Sequence, residues 1–263
     1  MAAEADLMRA VLANPDGDEP RRAYMEWAAE HGDPRANFIR VQLALAEAHR
    51  RGASVEEWAA LHKASTEHLE KRRALWCLPL EPLAVDGLID KPGFRRGFVE
   101  DVTMDAAAFA REAPRAYAVA PIRYVSLLNI VDAPRALASP HLGRIRSLDL
   151  SARGVDDAAI EALAASPHAR GLRWLDLSKN QIGRAGLDAL AASPHLKGLR
   201  YVNFVGNREK DPAEEYSTEG PSVLYSHESE LGRDLEARFG RLEWLHWPSA
   251  FGNASPPDPD AFT

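Results

Sequence analysis

The chain has 263 residues, 46% of them hydrophobic and 27% charged, and a formal net charge of −7. These proportions argue against a disordered or low-complexity protein and leave apolar material for one large domain or two modest ones. The acidic balance argues against non-specific nucleic-acid binding, which needs surplus Lys and Arg to displace counterions. The single cysteine, Cys77, excludes an intramolecular disulfide framework and a four-cysteine zinc site, and fits a reducing cytosol. No secretory pattern opens the chain, and no run approaches the roughly 18 apolar residues of a membrane span. The expectation is a cytoplasmic protein with no membrane or nucleic-acid partner. The charge is uneven: Arg208 to Glu236 holds three basic and nine acidic residues, a net of −6.

Residues 1–75 read as a small all-α module. A short apolar helix ends at Asn14-Pro15, and Asp16-Gly17-Asp18 is turn chemistry. Pro20 suits the first turn of a second helix, which carries Tyr24 and Trp27 and stops at His31-Gly32. Asp33-Pro34 starts a third, with Phe38, Ile39, Leu43 and Leu45 at roughly helical spacing. Ser54 opens a fourth, whose expected apolar face is Trp58, Leu61, Leu69 and Leu75.

The strings from Ala13 to Arg21, from Tyr24 to Trp27 and from His31 to Gln42 resemble the bacterial repeat-companion domain, a helical module that precedes leucine-rich repeats. The resemblance covers about 45 residues, and its most specific part is Gly32-Asp33-Pro34-Arg35 followed by Phe38-Ile39-Arg40 and Gln42. Where the family has Ala-Asp before the tryptophan, this chain has Met25-Glu26. The resemblance implies no enzymatic activity. Asp16, Asp18, Glu19, Glu26, Glu30 and Asp33 could gather a hard cation, but their spacing lacks a calcium-loop pattern. Capping and solvation are the preferred reading.

The second half is organised by an internal repeat. Gly171-Leu172-Arg173-Trp174-Leu175-Asp176-Leu177 restates Arg144-Ile145-Arg146-Ser147-Leu148-Asp149-Leu150, and Gly198-Leu199-Arg200-Tyr201-Val202-Asn203-Phe204 restates it again, each time 27 residues on. Ala/Leu-rich segments lie between, closed by Ser-Pro-His at Ser139, Ser166 and Ser193. Each L-x-x-L-x-L predicts a short strand, each Ala/Leu run a helix behind it stopped by proline, and such units must stack to bury their apolar faces. The period and the following asparagine resemble leucine-rich repeats of the ribonuclease-inhibitor type; Arg153 stands where the first clear unit should have that asparagine.

Weaker strands are expected at Val99–Met104 and Ile122–Leu127, and a sixth at Leu242–Trp247, after an insertion of about 16 residues. The expected architecture is therefore α/β: a short leucine-rich-repeat solenoid of about six parallel strands with helices on the convex side, preceded by the all-α module. The domains are 1–75, a connecting segment 76–97 containing Cys77 as a buried structural thiol, the repeats at 98–250 with the acidic insertion at 207–232, and a tail at 251–263.

No phosphate loop, nucleophile elbow or zinc-protease string is present. Catalytic residues, metals and cofactors are therefore expected to be none, and the chain is not expected to be an enzyme. His141, His168 and His195 could form a zinc-binding ladder, but each follows a helix stop, where it can serve the helix's negative end. The fragment from Gly93 to Gly97, basic and aromatic, is expected to pack rather than bind phosphate.

What remains is a surface. The x positions of the strands should face the concave side, placing there Arg123, Tyr124, Arg146, Asp149, Arg173, Trp174, Asp176, Arg200, Tyr201, Asn203, Trp244 and His246. Arginine, tyrosine and tryptophan dominate binding hot spots. The bland alternative is that the arginines cover the strands and pair locally. The expected function is non-catalytic recognition of a protein partner, as adaptor or scaffold. The alternative is a substrate of a caspase-like signalling protease, cut in the insertion around Arg208, Lys210, Asp211, Glu215, Tyr216 and Tyr225. The insertion could equally be a lid or merely tolerated.

Overall fold

The computed structural model describes residues 3–208 and 226–246. The chain is α/β with a six-stranded, mostly parallel sheet. Its described residues divide into two compact units, one on residues 3–103 and 112–123, the other on 104–111, 124–208 and 226–246.

The first unit opens with α1 (Glu4–Ala13), α2 (Glu19–Glu30), α3 (Arg35–Arg50) and α4 (Val55–Cys77). Pro20 sits in the first turn of α2, and Ser54 caps α4 by accepting from the Glu57 N–H at 3.2 Å. Val11, Tyr24, Ala28, Ala36, Ile39 and Leu43 bury themselves against Phe98. The segment 76–97 is more than a connector. It holds the end of α4, a 3-10 turn, α5 (Glu81–Val85) and β1 (Asp90–Arg95), which pairs antiparallel with β2 (Phe98–Asp105). Their turn, Arg96-Gly97, has positive φ at both residues, 47° and 88°. Only glycine suits the second: a Cβ on Gly97 would lie 2.4 Å from an Ile39 side-chain carbon.

The expected apolar face of α4 is only partly used. Trp58 and Leu75 are exposed, and the helix buries Ser65 and Trp76 instead. Leu75 precedes Trp76 by one residue and so points about 100° away from the buried stripe. Trp58 stacks on His62 of the next turn. Cys77 is half-buried, and burial raises its thiol pKa. Helix α6 (Ala106–Tyr117) follows β2, its first turn capped by Asp105, which accepts from the Ala107 and Ala108 N–H groups.

The second unit carries β3 (Tyr124–Leu128), β4 (Ser147–Asp149), β5 (Trp174–Asp176) and β6 (Tyr201–Asn203), parallel and in register. Helices α7 (Ala133–Leu137), α8 (Asp157–Ala165), α9 (Arg184–Ala192) and α10 (Glu230–Phe239) alternate with them. The apolar positions of each unit, among them Leu148, Leu150, Leu175, Leu177 and Phe204, are buried. Asn180 closes its turn by donating to the Leu150 and Leu177 carbonyls (2.9 and 2.8 Å) and accepting from the Arg153 and Val155 N–H groups. Asn207 repeats this with Leu177, Phe204 and Ile182. A helix start is also shared between neighbours. The first residue of α9 follows Gly183, which has no capping side chain, so Asp157 of α8 accepts from the Gly183 and Gly186 N–H groups at 2.6 and 3.0 Å.

The strand expected at Leu242–Trp247 does not form. Glu243–Leu245 is a 3-10 turn, and the sixth strand of the sheet is β1. Glu236 of α10 explains the turn: its Oε1 accepts from the Leu242 N–H at 2.8 Å and meets His246 Nε2 at 2.7 Å, drawing the ends of 242–246 together. The two strands β1 and β2 are antiparallel, so the expectation of six parallel strands is also corrected.

Candidate recognition face

Parallel register sorts the strand residues of the second unit into rows, in which Tyr124, Ser147, Trp174 and Asp176 are buried and Ser126, Asp149, Tyr201 and Asn203 partly exposed. Tyr124, Ser147, Trp174 and Tyr201 are successive partners, and so are Ser126, Asp149, Asp176 and Asn203. Because side chains alternate along a strand, both rows lie on the face opposite the buried Val125, Leu148, Leu175 and Val202. Trp174 and Tyr201 stack at 5.5 Å with planes 17° apart. Burial, helped by Asp176, pushes the Tyr201 phenol up to about 12. In the second row Ser126 Oγ donates to Asp149 Oδ2 (3.1 Å) and Asn203 Nδ2 to Asp176 Oδ2 (3.0 Å). The other oxygens receive the Ser151 and Ser178 N–H groups.

The arginines form a third row, but it is turned largely inward. Arg146 Nη1 donates to the Gly171 carbonyl at 3.0 Å, and Arg173 Nη1 to the Arg170 and Leu172 carbonyls at 3.1 and 3.0 Å. Glycine leaves room for these guanidinium groups: a Cβ on Gly171 or Gly198 would meet that of Arg146 or Arg173 within 2.5 Å and displace it. Arg200 is half-exposed and pairs with Glu243 at 3.3 Å. The local-pairing alternative therefore accounts for much of the arginine column.

Other expected partner residues are placed differently. Arg123 belongs to the first unit and is buried, pairing with Asp16 while its N–H bonds the Glu100 carbonyl. Tyr124 is only 3% exposed. Trp244 is buried in the 3-10 turn, and His246 is engaged by Glu236 and stacked on His227 at 4.1 Å. Of the expected processing loop, Arg208 donates to Gln181 at 2.8 Å. Lys210, Asp211, Glu215, Tyr216 and Tyr225 lie outside the described residues. Part of the acidic surplus belongs to α10 rather than the insertion: Asp234 pairs with Arg184 and Arg238, and Glu236 with His246.

The first unit contains a cluster that sequence reasoning missed. Glu100, fully buried, takes Arg21 Nη2 at 2.7 Å and Arg96 Nη2 at 2.8 Å. Both guanidinium groups also hold the Pro15 carbonyl, Arg21 the Gly17 carbonyl, and Arg96 the Asp16 carbonyl. Asp18 pairs with Arg50 and Arg96. Of the carboxylates weighed as a cation site, Asp16 and Asp18 thus pair with arginines. The residues of the distinctive strings interlock in the same way. Arg35 lies over the Phe98 ring at 4.7 Å, Phe38 stacks on Trp76 at 4.5 Å, and Gln42 joins Gly97 N–H to Ser65 Oγ. Burial lowers the Arg35 pKa. The readable signal was Glu100 itself, an acid at period-two spacing with apolar Phe98, Val102 and Met104 of the same strand.

The Ser-Pro-His histidines do not converge. His195 faces Arg170 Nε at 3.2 Å and His141 packs edge-on to Phe109, where burial lowers its pKa. The serines do the capping: Ser139 and Ser193 accept from the N–H groups of His141 and His195. Among the described residues no three His, Cys, Asp or Glu side chains are gathered as a metal would need. None of the helices among them is long and apolar enough to cross a membrane.

No family model, curated protein or solved structure matches the chain.

Proposed function

We propose that the chain is a leucine-rich-repeat protein, a helical module joined to a short solenoid, that recognises a protein partner without catalysis through the row-bearing face of β3–β6. The observation that carries this reading is the registered row pair: stacked Trp174 and Tyr201 beside Asp149, Asp176 and Asn203, repeated at 27-residue spacing on one face. Four aligned strands present an extended surface, and its centre holds the aromatic types that anchor protein interfaces. The repeat and the asparagine-closed turns support the family reading. Fold alone would not give a function.

A photo-crosslinking residue placed at position 201 tests it, with the same residue at Glu161 on α8 as control. In extract of the native host, position 201 should yield a discrete protein adduct that position 161 does not. Equal labelling from both positions, or none from 201, overturns the reading.

A further inference from the structure

Asp149 and Asp176 stand directly opposite each other on neighbouring parallel strands. No Lys, Arg or His among the described residues forms an ion pair with either. Like charges in opposite positions repel, and their serine and asparagine donors leave the pair negative. The nearby arginines make no ion pair with either carboxylate: Arg146 and Arg173 direct donors to backbone carbonyls and Arg200 pairs with Glu243.

A second observation lies on the same face of the same strand. Trp174, two residues before Asp176, is 7% exposed and its indole N–H has no acceptor among the described residues. Buried donors are almost always satisfied, so an orphan one is a cost that the fold carries until an acceptor arrives. Among the described residues the face thus lacks two things side by side: a cation at the carboxylate row and a hydrogen-bond acceptor at the aromatic row.

We propose that this face binds an extended polypeptide segment bearing a lysine or arginine, its cation taken between Asp149 and Asp176 and a main-chain carbonyl accepting from Trp174 Nε1. A polypeptide offers both groups a few ångströms apart, and its side-chain stem covers the Trp174–Tyr201 stack. The inference rests on the recognition reading and adds the sign of the partner: basic, not the carboxylate-rich partner that the arginine column suggests.

The test is calorimetric titration of the full chain with two capped decapeptides, one alternating lysine with serine and one alternating glutamate with serine. The lysine peptide should bind at least tenfold more tightly. D149N should weaken it at least fivefold, the double change D149N/D176N at least twentyfold, and Trp174→Phe, which keeps a ring but deletes the donor, about fivefold. Glu161→Gln on α8 controls for general attraction to an acidic protein and should change nothing. D149N alone keeps the test decisive if the more buried Asp176 variant fails to fold. Tighter binding of the glutamate peptide, equal binding of both, no binding of either, or lysine-peptide binding indifferent to D149N overturns the proposal. The crosslink at position 201 reads the recognition face separately: an adduct there with no preference for the lysine peptide sinks the basic partner alone.

Discussion

Arg153 Nε donates to the Leu127 carbonyl at 2.9 Å, the contact that Asn180 makes with Leu150 and Asn207 with Leu177 in the units that follow. A guanidinium thus replaces the asparagine amide where the repeat breaks its own pattern. It replaces only part of it: Asn180 also accepts two backbone N–H groups.

Arg153→Ala should therefore leave the Leu127 carbonyl unpaired and cost about 1–3 kcal/mol. Asn180→Ala deprives the Leu150 carbonyl and two N–H groups of their partner, while Leu177 keeps Asn207, and should cost more. Urea denaturation of both variants checks the order. Equal midpoints would mean that the arginine does no turn-closing work.

Glu100→Gln should destabilise the first unit by about 3–5 kcal/mol, because it leaves two buried guanidinium groups, Arg21 and Arg96, without their shared counter-charge. Changing exposed Glu30 to Gln should shift stability by less than about 0.5 kcal/mol. Thermal melts followed by circular dichroism compare the two.

Tyr24 and Tyr201 are both pushed to about 12 by burial, Tyr24 also by its hydrogen bond to Glu4 against the pull of Arg35. A raised acid pKa means that the folded state holds protons which the unfolded state has released. Stability from these groups is full below pH about 10, the ordinary tyrosine value, and is lost as pH rises toward 12. Ultraviolet titration of phenolate should show two tyrosines ionising late, and Tyr201→Phe should remove one of them and flatten the alkaline loss of stability.

The opposite window belongs to the α9–α10 carboxylates. The Arg238 hydrogen bond, seconded by Arg184, outweighs burial and holds Asp188 below the usual range. Stability from Asp188 is present above the ordinary carboxylate pKa and lost as pH falls through its lowered value. Arg238→Ala should lower stability only slightly, since the pair is open to solvent, and the loss should shrink in 1 M salt. A large, salt-independent loss would reveal packing by the arginine stem instead.

Helix starts, the 27-residue unit and the in-register β4–β6 were legible because each rests on local chemistry: capping residues, proline stops and period-two alternation repeated at fixed spacing. The turn asparagines were legible for the same reason, since Asn180 and Asn207 bond within one or two units. The last unit was misread. Leu242–Trp247 has a strand's pattern, but Glu236, six residues upstream on α10, captures its backbone and closes a turn.

The sequence by itself determined the repeat, and with it which residues would share a row, because register in a parallel sheet follows from spacing. Only the tertiary structure decided what each row does. Arg146 and Arg173 look like partner-facing charges in one dimension, yet Arg146 donates to the Gly171 carbonyl and Arg173 to the Arg170 and Leu172 carbonyls, and Arg123 turns away to Asp16. The same folding leaves Asp149 and Asp176 side by side without a cation among the described residues. Long-range pairing settles which charges are spent within the chain, and pattern along the chain carries no record of that choice.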